Sequence, residues 1–354
     1  MRLAVNLGSS AGNDASWLDL AVAAEHLGYD CVWAAEAYAS DAVSVLAWVG
    51  ARTQRIGLGS AVLQIPGRTP AMTAMTAASL DTLSDGRFRL GLGVSGPQVS
   101  EGWHGVRFEH PLERTREYVD VVRLALARTD VAYQGAHWHL PLPDGEGRPL
   151  RLGVRRVRER IPLYLAATGP RNCRLAGEIA DGVLGVFFAP EHAQPTLAAI
   201  REGRRIAGHD TEPGTDPLDR FEIVPTVPVS VGPDVEAAAE PIRRYAALYL
   251  GGMGSRRHNF YNDLARRMGF EQAAAQVQDL FLAGNPRDAA RAVPAEFIDA
   301  TSLVGPVERI ADRLHAYADI GVTTLAVTPF AQNPTARVET LRAAVTAIER
   351  AGLV

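Results

Sequence analysis

Residues 56–96 read IGLGSAVLQIPGRTPAMTAMTAASLDTLSDGRFRLGLGVSG. The runs Ile56–Val62 and Phe88–Gly93 are short, apolar and bounded by breaks, as buried strands are, while residues 70–83 between them space their apolar side chains as a helix does. Two strands joined by a helical crossover make a parallel strand–helix–strand unit.

The same rhythm extends outward. Toward the amino end, Arg2–Leu7 and Asp30–Ala34 read as strands, with helices near 14–27 and 41–52. Toward the carboxyl end a helix near 112–128 follows the fourth strand, and a polar excursion over 130–160 holds YQGAHWHL, 133–140, as a hairpin. The pattern resumes with strands at 161–167 and 181–188. Segment 221–231 reads as a seventh strand, whose prolines call for an edge or a bulge, and 321–330 as an eighth. The expected fold is therefore α/β, a (β/α)8 TIM barrel forming a single domain over 1–354, with a mostly helical insertion at about 233–303 between strands seven and eight. In such a barrel the chemistry lies at the carboxyl ends of the strands, and large insertions build over that mouth.

Composition narrows the chemistry. Of the 354 residues 47% are apolar and 21% charged, enough for a sizeable core. A formal charge of −4 gives no basic field for a nucleic-acid backbone, so no nucleic-acid partner is expected. All 36 basic residues are arginine, which excludes a P-loop, a pyridoxal Schiff base and a lysine general base. Cys31 and Cys173 are too few for a disulfide framework or a cysteine metal site, and a reducing cytoplasm fits them. The opening MRLAVNLGSS reads as a strand and a turn, and no apolar run is long enough to cross a bilayer, so a cytoplasmic protein without membrane contact is expected.

Gly91, Gly93 and Gly96 have the G-x-G-x-x-G spacing of a dinucleotide site. They end the fourth strand, Pro97 follows at once and no helix is expected to open there, so packing within the barrel is the preferred reading. Ser95 and Gly96 would still let a planar ring approach the backbone. In ATGPRNCRLAGEIADG, 167–182, the turn Thr168–Gly169 leads into a helix whose first turn carries Arg171 and Asn172, an anion site at a barrel mouth. Glu36 ends the second strand and suits ligand hydrogen bonding or proton handling, or else a plain surface loop. Glu101 has the same status, with Trp103 and His104 beside it as substrate contacts, or His104 as a simple loop histidine. The cluster Arg151, Arg155, Arg156, Arg158 and Arg160 fits either an anionic cofactor tail or a solvated strand edge. His137, Trp138 and His139 lack further ligands at metal spacing, so no metal site is assigned. No nucleophile elbow is present, which argues against acyl transfer.

Taken together, these segments resemble the luciferase-like monooxygenase superfamily in its branch dependent on the deazaflavin coenzyme F420, over nearly the whole chain. The likeness rests on VWAAEAY (32–38) with DAVSVLAW (41–48), on 59–106, on LYLAATGPRN (163–172) with LAGEIADG (175–182), and on GGMGSRRHNFYND (251–263). It implies an oxidoreductase, often dimeric, that moves a hydride between the deazaflavin and a small organic substrate, with an activated C=C or C=N bond as the first candidate. It also implies a non-proline cis peptide at Ala61 and Val62, with Glu36, Ser95 and Gly96 lining the deazaflavin and Thr168, Gly169, Arg171 and Asn172 holding its phosphate. The sugar-phosphate dehydrogenase branch carries a histidine after the strand-two carboxylate; here Ala37 stands there, leaving Glu101, His104 and Tyr38 as proton-handling candidates. The alternatives are an FMN-dependent monooxygenase on the same barrel and a non-catalytic flavin-binding protein.

Overall fold

The structure, a computed structural model, describes residues 1–9, 14–209 and 216–353; Ser10, with which the turn expected from the sequence ends, and Val354 lie outside the described residues. Eight parallel strands close on themselves: β1 (Arg2–Asn6), β2 (Cys31–Ala34), β3 (Gly57–Ser60), β4 (Phe88–Gly93), β5 (Leu163–Ala166), β6 (Gly182–Val186), β7 (Glu222–Val231) and β8 (Thr324–Pro329). Each pairs with its neighbours in sequence, and β8 returns to β1 in the register Arg2–Thr324 to Val5–Val327. The surrounding helices are α1 (Ser16–His26), α2 (Ala42–Gly50), α3 (Pro70–Leu83), α4 (Pro111–Leu126), α5 (Pro170–Ile179), α6 (Gln194–Ile206), α7 (Val307–Asp319) and α8 (Pro334–Arg350). This is the expected TIM barrel.

Local chemistry explains the elements. Asp41 starts α2 by accepting the Ser44 N–H at 2.8 Å, and Thr69 starts α3 by accepting from Met72, with Pro70 at the first helical position. Strand β3 ends at Ser60, short of the expected Val62, and the Ala61–Val62 peptide that follows is cis, as the resemblance implied. Pairing to β4 then resumes for two residues, Leu63 with Leu92 and Gln64 with Gly93. Inside the barrel Trp33 and Tyr164 meet edge to face at 5.3 Å, among buried Leu184, Val224 and Ala326. The close glycines belong to that packing: a Cβ on Gly91 would lie 1.9 Å from the Ser60 carbonyl oxygen, and one on Gly93 would lie 2.5 Å from Val62 Cγ2.

Three expectations need correction. A short helix, Pro97–Gly102, does open immediately after Gly96, because Pro97 is well placed at a first helical position. Strand β7 is not on an edge; its prolines fit because its two ladders are staggered. Pro225 precedes the first pair with β8, Thr226 with Ala326, and Pro228 follows the last pair with β6, Thr226 with Val186, so each lies outside one ladder. Of the two readings of the arginines at 151–160, the anionic-tail one is not met, since none of them lines the mouth. Arg158 pairs with Asp81 at 2.7 Å and donates to the carbonyl of Phe88, the first residue of β4, while Arg160 pairs at 2.6 Å with Asp181, just before β6. Those are the amino ends of the strands. The hairpin forms as expected, Tyr133–Gln134 against His139–Leu140.

The insertion runs as helices Val235–Ala247, Phe260–Arg267, Glu271–Leu282, Pro286–Arg291 and Ala295–Thr301, and a short strand, Leu303–Gly305, then pairs beside the end of β7. It has its own apolar core, in which Ile242, Val277 and Phe297 pack with Phe187 from the end of β6.

Candidate active site at the barrel mouth

The carboxyl ends of the strands open into a cavity of about 1370 Å³. Most of the residues singled out from the sequence line it, Trp103, a candidate substrate contact, among them. Glu36 and Tyr38 come from the end of β2, Ala61 and Val62 from the cis turn after β3, and Ser95 and Gly96 from the end of β4. Thr168, Gly169, Arg171 and Asn172 come from the turn between β5 and α5. Barrel closure brings these segments together although they are far apart in sequence.

Each segment has a distinct physical character. Ala61 and Val62 form a wall backed by the Trp33–Tyr164 cluster. Ser95 sits at φ +60°, a left-handed conformation that costs a non-glycine residue about 1–3 kcal/mol and tends to occur where function constrains the backbone. At Gly96 and Gly169 a Cβ would meet nothing within 4 Å, so the backbone there faces open space. Helix α5 has no side-chain cap; its first bond runs from the Cys173 N–H to the Gly169 carbonyl. The N–H groups of Arg171 and Asn172 precede that bond and point out of the helix end, the arrangement that binds anions. Arg171 itself is exposed, and Arg267 from the insertion donates to the Thr168 carbonyl at 2.9 Å, adding a second guanidinium beside the turn.

Glu36 is not a free base. Arg68 donates to it at 2.6 Å and to Asp41 as well, and the N–H groups of Ala42 and Gln64 each approach it at 3.3 Å. The carboxylate is thus held at the cavity wall as a fixed acceptor. Two of the three proton-handling candidates do not reach the wall. Helix Pro97–Gly102 turns Gln98, Val99 and Gly102 toward the cavity, which leaves Glu101 on another face, accepting the Phe108 N–H at 3.1 Å. The His104 ring meets the Gln64 amide oxygen at 2.9 Å, while Gln64 lines the cavity and donates to the Ala37 carbonyl. Tyr38 lines the cavity directly and is 56% exposed.

The sequence reading missed an aromatic part of the wall contributed by the insertion. Tyr245, Tyr249 and Tyr261 of the insertion line the cavity; Tyr249 lies 4.6 Å from Tyr245 and 4.7 Å from Tyr261, ring centre to ring centre. Burial pushes the pKa of all three tyrosines up. Phe187, itself at φ +52°, roots the group, with its ring within 5.5 Å of both Tyr245 and Tyr249. A five-residue π turn, Leu248–Gly252, carries Tyr249 and Gly252 into the site, as such turns often do at functional positions. The i, i+4 spacing of Tyr245 and Tyr249 was the available signal, but it does not say which way the insertion folds.

The model of the family described as luciferase-like monooxygenase matches residues 3–324. The chain belongs to that family. Relatives of this luciferase-like chain include a Mycobacterium tuberculosis protein named "Putative coenzyme F420-dependent oxidoreductase", 42% identical over 334 residues, which cover 93% of this chain and 95% of the relative. A 5,10-methylenetetrahydromethanopterin reductase of Archaeoglobus fulgidus is 28% identical over 85% of each chain. Among solved structures, the coenzyme F420-dependent tetrahydromethanopterin reductase of Methanopyrus kandleri superposes with a TM-score of 0.81 at 23% identity, covering 98% of this chain and 99% of the other. That likeness shows the same fold over nearly the whole chain.

Proposed function

We propose that this chain is a coenzyme F420-dependent oxidoreductase working as a reductase on a small organic substrate. The observation that carries the reading is the convergence, on one cavity, of an apolar wall at Ala61 and Val62, open backbone at Gly96 and an anion-binding helix end at Arg171 and Asn172. The 42% identity to a relative whose name includes coenzyme F420 supports it.

The residues fit the group. Gly96, with open space where a side chain would be, admits a flat ring against the backbone, and Val62 and Ala61 supply its apolar backing. Thr168, Gly169, Arg171 and Asn172 suit a phosphate, whose charge the helix end and guanidinium offset. Glu36, clamped by Arg68, offers a fixed acceptor to ring N–H groups. When bound, the deazaflavin supplies a two-electron hydride. Reduction of an activated C=C or C=N bond takes a proton as well, and Tyr38 is the candidate that reaches the cavity.

The reading includes a single catalytic domain and a cytoplasmic homodimer. Exposed Trp48 on α2 and Met72 and Met75 on α3 support the dimer, and no helix of the described residues is long and apolar enough to cross a membrane. Light scattering tests the dimer. For the function, the purified protein is titrated with coenzyme F420 and with FMN, and deazaflavin absorbance is followed with enones and imines. Binding of the deazaflavin with substrate-dependent change in its absorbance is expected. Tight FMN binding with no affinity for the deazaflavin would overturn the proposal in favour of a monooxygenase, and binding of either without turnover would favour a non-catalytic flavin protein.

A further inference from the structure

Two buried polar side chains of the barrel strands, Asn6 of β1 and Thr226 of β7, line the cavity and are 6% and 9% exposed. They flank β8, where Ala326 pairs with Ala4 on one side and with Thr226 on the other, and they meet over its small side chain. The Asn6 amide has one orientation: its oxygen accepts the Gly8 N–H at 2.8 Å, so its nitrogen faces Thr226 and donates to the hydroxyl oxygen at 3.0 Å. A backbone N–H and an amide nitrogen can only donate, so both bonds run the same way and the Thr226 proton must go elsewhere. Among the described residues no acceptor takes it. Two residues earlier on the same strands lie Ala4 and Val224, in the apolar cluster around Trp33, whose indole N–H is itself a donor. A hydroxyl proton left without a partner is costly, so the chain of bonds is built to end on an acceptor in the cavity.

Resting on the coenzyme F420 reading above, we propose that the Thr226 hydroxyl donates to the carbonyl oxygen of the substrate, that Asn6 is the positioning residue that fixes its direction, and that the substrate is a C=C bond conjugated to a carbonyl rather than a C=N bond. Strand β7 stands four places from β3 in the ring of eight, directly across the barrel, so the hydroxyl faces the Ala61 and Val62 wall over the width of the mouth. A molecule lying between them takes the bond, not a ring seated on the wall. The bonds from Gly8 to Asn6 and from Asn6 to Thr226 polarise in one direction, which strengthens the donor at the end. A carbonyl oxygen accepts and carries no proton, so it completes the chain. An alcohol also accepts, but it brings a proton to a place that offers only donors. An iminium, the form in which a C=N bond is activated toward hydride, has no lone pair to offer.

The test uses two probes of nearly the same shape, the enone 4-phenyl-3-buten-2-one and the alcohol 4-phenyl-3-buten-2-ol, titrated calorimetrically into the full-length protein with and without oxidised coenzyme F420. The enone is expected to bind at least about fivefold more tightly than the alcohol. Thr226→Val keeps the shape and removes the proton, so enone affinity falls about three- to tenfold, and Thr226→Ser restores it. The carbonyl stretch of the bound enone, shifted to lower frequency in the wild type by infrared difference spectroscopy, returns toward its free value in Thr226→Val and stays shifted in Thr226→Ser. In Asn6→Ala the Thr226 oxygen is free to accept, so the preference for enone over alcohol falls toward unity; this variant keeps the proposal testable if the valine variant does not fold. Equal affinity for the two probes in the wild type, a stretch unmoved by Thr226→Val, or a preference unchanged in Asn6→Ala overturns the proposal and leaves coenzyme binding untouched. A shift abolished by adding the coenzyme also overturns it, because the hydroxyl then holds a carbonyl of the coenzyme. Failure of the coenzyme to bind while the shift and the preference persist refutes the cofactor reading and leaves the carbonyl site standing.

Discussion

Asn259 holds the tyrosine wall in place, and removing it should loosen that wall without unfolding the barrel. Its side chain is 3% exposed. The amide nitrogen donates to the Tyr249 and Leu250 carbonyls at 3.0 Å each, and the amide oxygen accepts from the Tyr261 and Asn262 N–H groups at 3.0 Å, capping helix Phe260–Arg267. One side chain thus ties the π turn carrying Tyr249 to the helix carrying Tyr261. In Asn259→Ala the cap is lost, at about 1 kcal/mol. The Leu250 carbonyl keeps the Asn262 amide, but the Tyr249 carbonyl loses its side-chain donor, at about 1–3 kcal/mol. The sum, about 2–4 kcal/mol, is below the roughly 5–15 kcal/mol that keeps a domain folded. The effect should therefore appear as local opening: amide exchange over residues 249–262 accelerates by about thirtyfold to a thousandfold, while exchange in β1 and β8 is unchanged. Asn259→Ser retains a capping oxygen but no amide donor, and should recover about the 1 kcal/mol of the cap. Exchange altered by less than about threefold in Asn259→Ala, or a serine variant as open as the alanine variant, would refute this account of how the wall is built.

Other expectations follow from single side chains. Burial opposes ionisation of Glu25, but the N–H groups of Gln54, Arg55 and Ile56, at 2.9, 2.7 and 2.9 Å, outweigh it and hold its pKa below the ordinary 4.5. A depressed folded pKa stabilises the protein above the unfolded value and ceases to do so as pH falls through the folded one, so urea-unfolding stability should drop below about pH 4.5, with a shallower acid slope in Glu25→Gln. Burial pushes the Cys31 and Cys173 thiols up to about 12, so neither should react with an aromatic disulfide reagent at pH 8 until denaturant is added; fast labelling of the native protein would contradict their placement. Gly91→Ala would set a Cβ 1.9 Å from the Ser60 carbonyl, forcing β3 and β4 apart; a loss of about 3 kcal/mol in urea unfolding is expected, and a neutral result would show that the barrel yields there.

The barrel was legible because its signal is local and repeated. Strand Phe88–Gly93 and helix Pro70–Leu83 fall where apolar spacing put them. The residues at strand ends could be grouped for the same reason, since closure of a barrel brings successive ends to one mouth whatever the loops do. What stayed hidden depends on tertiary placement. The short helix after Gly96 turns Gln98 and Gly102 toward the cavity and Glu101 away, an angle that a six-residue segment does not reveal through periodicity. Arg158 and Arg160 formed a basic cluster in sequence, but Asp81 in the last turn of α3 and Asp181 just before β6 claim them. The tyrosines of the insertion reach the mouth through packing on Phe187 and through two buried asparagines, Asn259 and Asn262.

The most direct test of the central reading is a titration of coenzyme F420 against the wild-type protein and Arg171→Ala, followed by deazaflavin fluorescence. Loss of an exposed charge-assisted contact to phosphate at the α5 end should weaken binding about tenfold, with thermal stability unchanged. Equal affinity in the two proteins, or no binding to either, would contradict the account.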